Sequence, residues 1–295
     1  MSHLRDRRAF GNIGTRKFRG ARYGDALSPR FTGLLDTYTG ASGAYAFIAL
    51  TRNWLAGDVV RARRVNTPAL ANFTANQVAN GELATWALSG DAFVHTFFDQ
   101  SGNGDDWTQG TSTAQPKIVS AGVLVTDGMT LDGVNDHMTS SVNYSADMSV
   151  FMVSNINQDN GSDYQRILYT ADGSDSLQIT RAGSSESYEI LSKNTAFQAS
   201  TDAFKHGVSP TGLTLITTIT SATTTAAFVD SASTTNTATI LGAGNNVTST
   251  LGSRDNLTAS TFFKGTITAI IIYPSNQSAN RTGIEAIINA AYPSL

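Results

Sequence analysis

Along most of this chain apolar and polar residues alternate with a period of two, and threonine and β-branched residues crowd the alternating stretches. That pattern suits pleated sheet and not helix. Met148, Val150 and Met152 alternate with Ser149, Phe151 and Val153, which predicts a strand that is apolar on both faces. Thr214 to Thr220 sets Leu215, Ile216 and Ile219 among threonines, and Ala226 to Val229 follows a Thr-Thr-Thr turn. Alternation across Thr266 to Tyr273 places Ile267, Ala269, Ile271 and Tyr273 on one face and Ile270 and Ile272 on the other. Turn-forming clusters (Gly161-Ser162-Asp163, Asp172-Gly173-Ser174, Gly183-Ser184-Ser185 and Gly242 to Asn246) separate the runs at short intervals. Such spacing predicts an antiparallel sandwich.

Two stretches depart from this period. Asn72 to Leu88 carries Phe73, Val78, Leu83, Trp86 and Ala87 around Gly81, which predicts a short helix or helical turn. Ser278 to Tyr292 is a stronger helix. Ser278 is placed to cap it, Ile284, Ile287, Ile288 and Ala291 share one stripe, and Pro293 follows. There is no internal repeat, heptad array or low-complexity tract.

Composition narrows the class. A chain of 295 residues, 40% hydrophobic and 15% charged, with 26 glycines and 6 prolines, is compatible with one large β-sandwich. No run approaches the ~18–20 apolar residues needed to span a bilayer, and the first residues lack the apolar core of a secretory signal. The absence of cysteine excludes disulfides, thiolate nucleophiles and cysteine-ligated metal, and points to folding in a reducing cytosol.

Charge is unevenly distributed. Residues 1–31 hold Arg5, Arg7, Arg8, Arg16, Lys17, Arg19, Arg22 and Arg30 against Asp6 and Asp25, a net of +6. Because the whole chain carries −3, the remainder carries −9. Phe10, Ile13, Phe18, Tyr23, Leu27 and Phe31 recur between glycines, which fits extended docking on an acidic neighbour better than a solvated tail or a nucleic-acid arm. The expected division is a basic docking arm over 1–31 and a sandwich over 32–295.

The chemistry-bearing residues are sparse. Phe98 to Gly104 reads FDQSGNG, a strand end running into a glycine-governed loop whose Asp99, Ser101 and Asn103 can bond their own backbone. Asp99, Asn103, Asp105 and Asp106 offer hard oxygens suited to Ca²⁺, as do Asp172 and Asp175. An Asx-turn explains the same residues without an ion. Trp107, just after this loop, is the candidate exposed ring for stacking on a sugar, whereas Trp54 and Trp86 sit among apolar neighbours. His3, His95, His137 and His206 show no metal spacing, and His95 reads as a strand residue. Arg61 and Arg63 fall on one solvent-facing side of a strand. Phosphate-binding loops, dinucleotide fingerprints and nucleophile elbows are absent.

Three motifs in order carry a family resemblance. They are Leu34 to Phe47 followed by FDQSGNG; Met129 to Met138 (MTLDGVNDHM); and Leu251 to Asn256, followed by Phe262-Phe263-Lys264-Gly265 and Ile270 to Tyr273. Together they resemble the catalytic domain of α-L-arabinofuranosidase B and bacteriophage virion proteins sharing that segment. The resemblance implies an antiparallel concanavalin A-like (laminin G-like) jelly-roll sandwich with a short C-terminal helix and an extended N-terminal arm. In that family two carboxylates about 5–5.5 Å apart perform retaining hydrolysis. By resemblance Asp255 matches the acid/base position. The nucleophile should fall within Ser176 to Ser187, where Arg181 stands near the expected place and Glu186 and Glu189 come later. The family's vicinal cysteine pair is absent.

One implied carboxylate is therefore present and the other not evident, so the expectation is a non-enzymatic virion component, on a capsid or in a tail or fibre. Its implied partners are other virion proteins through the arm, further copies of itself and host-surface polysaccharide, without membrane or nucleic acid. The implied location is the outer surface of a particle assembled in the host cytoplasm. Trp107, Asp99, Asn103, Asp255 and Asn256 are the candidate glycan contacts, and Ca²⁺, at Asp99 and Asp105, is the one cofactor the residues suggest. An arabinofuranosidase-type hydrolase and a pure carbohydrate-binding adhesin are the rival readings.

Overall fold

The computed structural model describes residues 31–67, 69–142, 147–156, 164–171, 176–182, 187–193, 204–206, 212–221, 225–230, 232–236, 248–254, 257 and 261–295. The arm over 1–30, and with it Arg5 to Arg22, lies outside the described residues.

Along the chain come helix α1 (Leu34–Thr37) and strands β1 (Gly43–Ala46), β2 (Asp58–Arg64) and β3 (Ala69–Thr74). Helices α2 (Ala75–Ala79) and α3 (Glu82–Trp86) precede β4 (Ala92–Phe97), β5 (Trp107–Thr108), β6 (Lys117–Ser120) and β7 (Val123–Leu124). Then follow β8 (Met129–Asp132), β9 (Met138–Ser140), β10 (Met148–Asn155), β11 (Tyr164–Ala171), β12 (Ser176–Ala182) and β13 (Ser187–Lys193). The chain closes with β14 (Phe204–His206), β15 (Thr214–Thr220), β16 (Thr225–Val229), β17 (Ala232–Asn236), β18 (Ser249–Leu251), β19 (Lys264–Tyr273) and helix α4 (Arg281–Ala291).

All pairings between these strands are antiparallel. One layer runs β17–β16–β15–β10–β19, with β1 and β8 sharing the far edge of β19. The other runs β3–β2–β4, then through β5 to β9–β18–β11–β12–β13–β14. The pairing of β6 with both β4 and β8 curls the two layers into one continuous sheet.

Two apolar clusters explain the doubly apolar strands. Val150, Met152, Ile216, Ile270 and Ile272 face inward and meet Val60, Val94, Leu168 and Ile179 between the layers. Phe151, Val153, Leu215, Ile271 and Tyr273 face outward and are covered by Leu34 and Leu35 of α1 and by Ile284 and Ile288 of α4. The first layer is thus buried on both faces, like the centre of a three-layer stack.

Three local expectations need correction. Ile267 joins the inward cluster and not the outward face with Ala269. The register of β10 against β19 passes from Val153↔Ala269 to Ser154↔Ile267, so Thr268 is bulged out and alternation flips on either side of it. The stretch from Asn72 to Leu88 is not one helix but the end of β3 and two single-turn helices. Thr74 and Gln77 form a reciprocal cap at the start of α2, and left-handed Gly81 (φ 79°) breaks the run before α3. The terminal helix begins at Arg281 behind Asn280, so Ser278 is not its cap.

Candidate functional site

The FDQSGNG loop is a clamp on the chain before it. Both oxygens of Asp99 are engaged, accepting from the amides of Ala44 (2.9 Å), Ser101 (2.9 Å) and Gly104 (3.0 Å) and from the Ser101 hydroxyl (2.6 Å). Gln100 accepts from the Leu50 amide (2.8 Å) and donates to the carbonyls of Ala46 and Ile48 (both 2.9 Å). Asn103 donates to the carbonyls of Ala41 and Ser42 (both 3.1 Å). Gly102 and Gly104 adopt positive φ, 92° and 81°. The pairing of this motif with GASGAYAF therefore has a structural cause: one segment supplies the hydrogen-bond partners of the other's backbone.

This corrects the reading of Asp99 as a glycan or Ca²⁺ contact, because it is 2% exposed and its lone pairs are committed. Asp105 accepts from the Ser141 hydroxyl (2.8 Å), and its carbonyl accepts from Tyr45 (2.5 Å) and Ser140 (2.7 Å). Burial raises the Asp106 carboxyl above the usual range while its oxygen holds the Asp99 amide at 2.8 Å. Among the described residues no group of three or more acidic or histidine side chains could hold a metal ion. Asp172 and Asp175 lie outside the described residues.

Trp107 is also corrected. It is fully buried and forms an edge contact with Tyr45 at 5.9 Å, beside the stacked Phe47 and Phe97 rings at 4.6 Å. The ring lies in the core between the layers, against Tyr45 of β1, and no surface remains for a sugar. Trp54 and Trp86 pack against the same core from its margin, as expected. His95 is half-buried on β4, and its ring meets the Thr96 hydroxyl at 2.9 Å. Arg61 is exposed, whereas Arg63 bonds Gln115 (2.7 Å) and the Ser112 carbonyl (2.8 Å) and lies over Phe93.

The second and third motifs meet at one end of the sandwich. The Asp132–Met138 turn abuts Leu251 and Phe262: Met138 pairs with Leu251, and the His137 and Phe262 rings lie 6.1 Å apart. Asp132 holds the turn, accepting from the amides of Val134 (2.8 Å) and Asn135 (3.2 Å). Asp136 receives the Asp132 amide at 3.0 Å, and burial, reinforced by the Asp132 charge, pushes its carboxyl up to about 7. Asp255 and Asn256 lie outside the described residues. Their neighbour Arg254 is exposed, and its guanidinium lies 5.8 Å from the centre of the Tyr169 ring.

From Arg254 a polar face extends over β11 and β12. Tyr169 pairs with Gln178 across the two strands, and Arg166 donates to the Gln178 amide oxygen at 2.8 Å. Leu177 and Ile179 point to the core. Arg181, two residues on, shares that inward side: it is fully buried and donates to the Ile156 carbonyl at 3.2 Å. Glu189 stands opposite Thr180 in the register of β12 and β13, and Glu186 lies outside the described residues. The polar group of Gln178, Arg166 and Arg254, with Tyr169 buried beside it, went unrecognised in the sequence. Only alternation around Leu177 and Ile179 hinted at it, and the partner strands could not be read from spacing.

The layers, their antiparallel pairing and the helix cover define a mainly β, concanavalin A-like sandwich. Comparison with solved structures agrees. A GH54 α-L-arabinofuranosidase soaked with a cyclic sulfate inhibitor superimposes with a TM-score of 0.66 at 12% identity. A mutant GH54 enzyme soaked with 4-nitrophenyl α-L-arabinofuranoside gives 0.67 at 12%. An arabinofuranosidase complexed with arabinofuranosyl-α-1,2-xylobiose gives 0.64 at 13%. Each match covers 88% of this chain but only 65% of the other, so the chain spans less than two thirds of those proteins. No protein-family model matches the chain. No curated protein matches it either.

Proposed function

We propose that this chain is a non-catalytic structural component of a bacteriophage virion, a capsid-decoration or tail protein. Its basic arm anchors the sandwich to other virion proteins, and the sandwich presents a saccharide-binding face outward. The observation that carries the non-catalytic reading is Arg181. Where the arabinofuranosidase resemblance calls for a carboxylate nucleophile, β12 carries a fully buried arginine that points to the core. A retaining mechanism without its second carboxylate loses the covalent step that divides the barrier. Exposed Arg254 and half-buried Arg166 and Gln178 still supply hydrogen-bonding groups for sugar hydroxyls, which need no nucleophile. The +6 charge of residues 1–31 against the −9 of the remainder supports docking of the arm on an acidic neighbour.

Two measurements test this reading. The purified chain is expected to release no nitrophenol from 4-nitrophenyl α-L-arabinofuranoside. Steady turnover that vanishes in Asp255→Asn or Glu189→Gln would replace the proposal with a hydrolase. A chain lacking residues 1–30 is expected to keep its β-sheet circular dichroism yet fail to enter particles. Normal incorporation would remove the arm from assembly.

A further inference from the structure

A cleft of about 330 Å³ opens on the outer side of the first layer, away from the polar face. Its walls include Ile287 and Ala291 of α4, Ala75 and Ala79 of α2, Ala49, and Phe31. The lining is apolar apart from Thr32, Asn76 and Tyr292. Phe31 is the point at which the described chain continues into residues 1–30. The cleft is thus an apolar surface at the root of an arm that carries recurring apolar side chains.

We infer that this cleft seats the Tyr23–Leu27 segment of the same chain, so that the basic arm is anchored on its own sandwich before it runs outward. Three observations carry the assignment. First, Ser28-Pro29-Arg30-Phe31 has the signature of a type I turn, with serine at its first position and proline at its second. A reversal there returns Leu27 to Phe31 and so to the cleft. Second, Leu27 lies four residues from a residue of the wall, a span of at most about 14 Å when extended, so its reach is short by any path. Third, Tyr23 and Leu27 are four apart, which lets one helical turn offer both to the same surface. Arg22 and Arg30 flank the segment and can stay in water with their charges unburied.

The inference stands apart from the virion reading, because it concerns contacts within one chain. Its test uses the full chain at dilute concentration, with a photoreactive benzophenone side chain at position 27. Cross-links to Ile287, Ala291 or Ala79 within a single chain are expected. Amide exchange over residues 20–30 should be slowed by at least about tenfold relative to an unstructured peptide. Ala79→Trp, which fills the cleft, should abolish both signals while the sheet dichroism is unchanged. If that variant misfolds, Leu27→Asp alters only the arm and should release the segment in the same way. Cross-links confined to dimers would assign the cleft to a second copy and overturn the inference. Cross-links elsewhere, or unprotected exchange in the parent chain, would also overturn it.

Discussion

The Thr217 hydroxyl donates a 2.9 Å hydrogen bond to the Glu285 carboxylate, joining the outer face of β15 to the terminal helix. Glu285 is 3% exposed and pairs at 2.6 Å with Arg281, whose guanidinium lies 4.0 Å above the Phe228 ring. A polar pin is thus set in the largely apolar contact between helix and sheet. Glu285→Ala leaves Thr217 and Arg281 without this partner and is expected to cost about 2–3 kcal/mol. Glu285→Gln should cost less, because an amide oxygen still accepts from Thr217. Urea unfolding of the two variants checks the order, and an unchanged midpoint for Glu285→Ala would show the pin contributes nothing.

Asp99→Ala is expected to destabilise the fold by about 2–3 kcal/mol, because the buried Ala44 amide and the loop amides lose their acceptor. Any binding to arabinose-containing oligosaccharides should be unchanged once the variant is folded. A selective loss of binding without loss of stability would return Asp99 to the surface site.

Trp107→Ala should cost about 3–5 kcal/mol through the cavity it leaves. Trp107→Phe should cost appreciably less, since it keeps a ring in the core and removes a buried indole N–H that has no hydrogen-bond partner among the described residues. Thermal unfolding distinguishes these outcomes, and equal losses would mean that the indole's own shape is required.

Asp136 gives the fold a pH dependence of definite sign. Its folded-state value of about 7 lies above the ordinary 3.8, so the folded protein holds this proton more tightly than the unfolded chain. The resulting stability is full below about pH 4 and is lost as pH rises through about 7, by at most about 4 kcal/mol. Asp136→Asn is expected to flatten that part of the profile, which denaturant titrations across the range would measure. A parent profile that rises between those limits and is unaffected by the substitution would refute the assignment.

Gly128 sits with φ 121° beside the Thr268 bulge, where a Cβ would run into the Ile267 carbonyl. Gly128→Ala is expected to destabilise by roughly 1–3 kcal/mol, a cost from strained backbone that no side-chain movement relieves. A fall in melting temperature with no change in the far-ultraviolet spectrum would fit this. A neutral result would show that the turn relaxes.

The alternation around Val150, the threonine-rich run at Ile216 and the stripe of Ile284 and Ile288 could be read directly, because each records which side of one element is apolar. The link between FDQSGNG and GASGAYAF was also visible as a family pattern, although its meaning was not. Only the folded chain shows that Asp99 and Gln100 are spent on the backbone of Ala44 to Leu50.

Other features were decided by partners distant in sequence. Period-two counting assigned Ile267 to the wrong face because a bulge at Thr268 is defined by the register against Val153 and Ser154, not by composition. Trp107 looked accessible beside a glycine-rich loop, yet its ring is buried between the layers against Tyr45, some sixty residues earlier. Arg181 stood near the place where the resemblance calls for a carboxylate, and alternation with Leu177 and Ile179 turns it inward. Sequence by itself determined the strand class, the punctuation and the terminal helix, all governed by local preference and periodicity. Tertiary structure decided which side chains are buried, because burial depends on surfaces that only folding brings together.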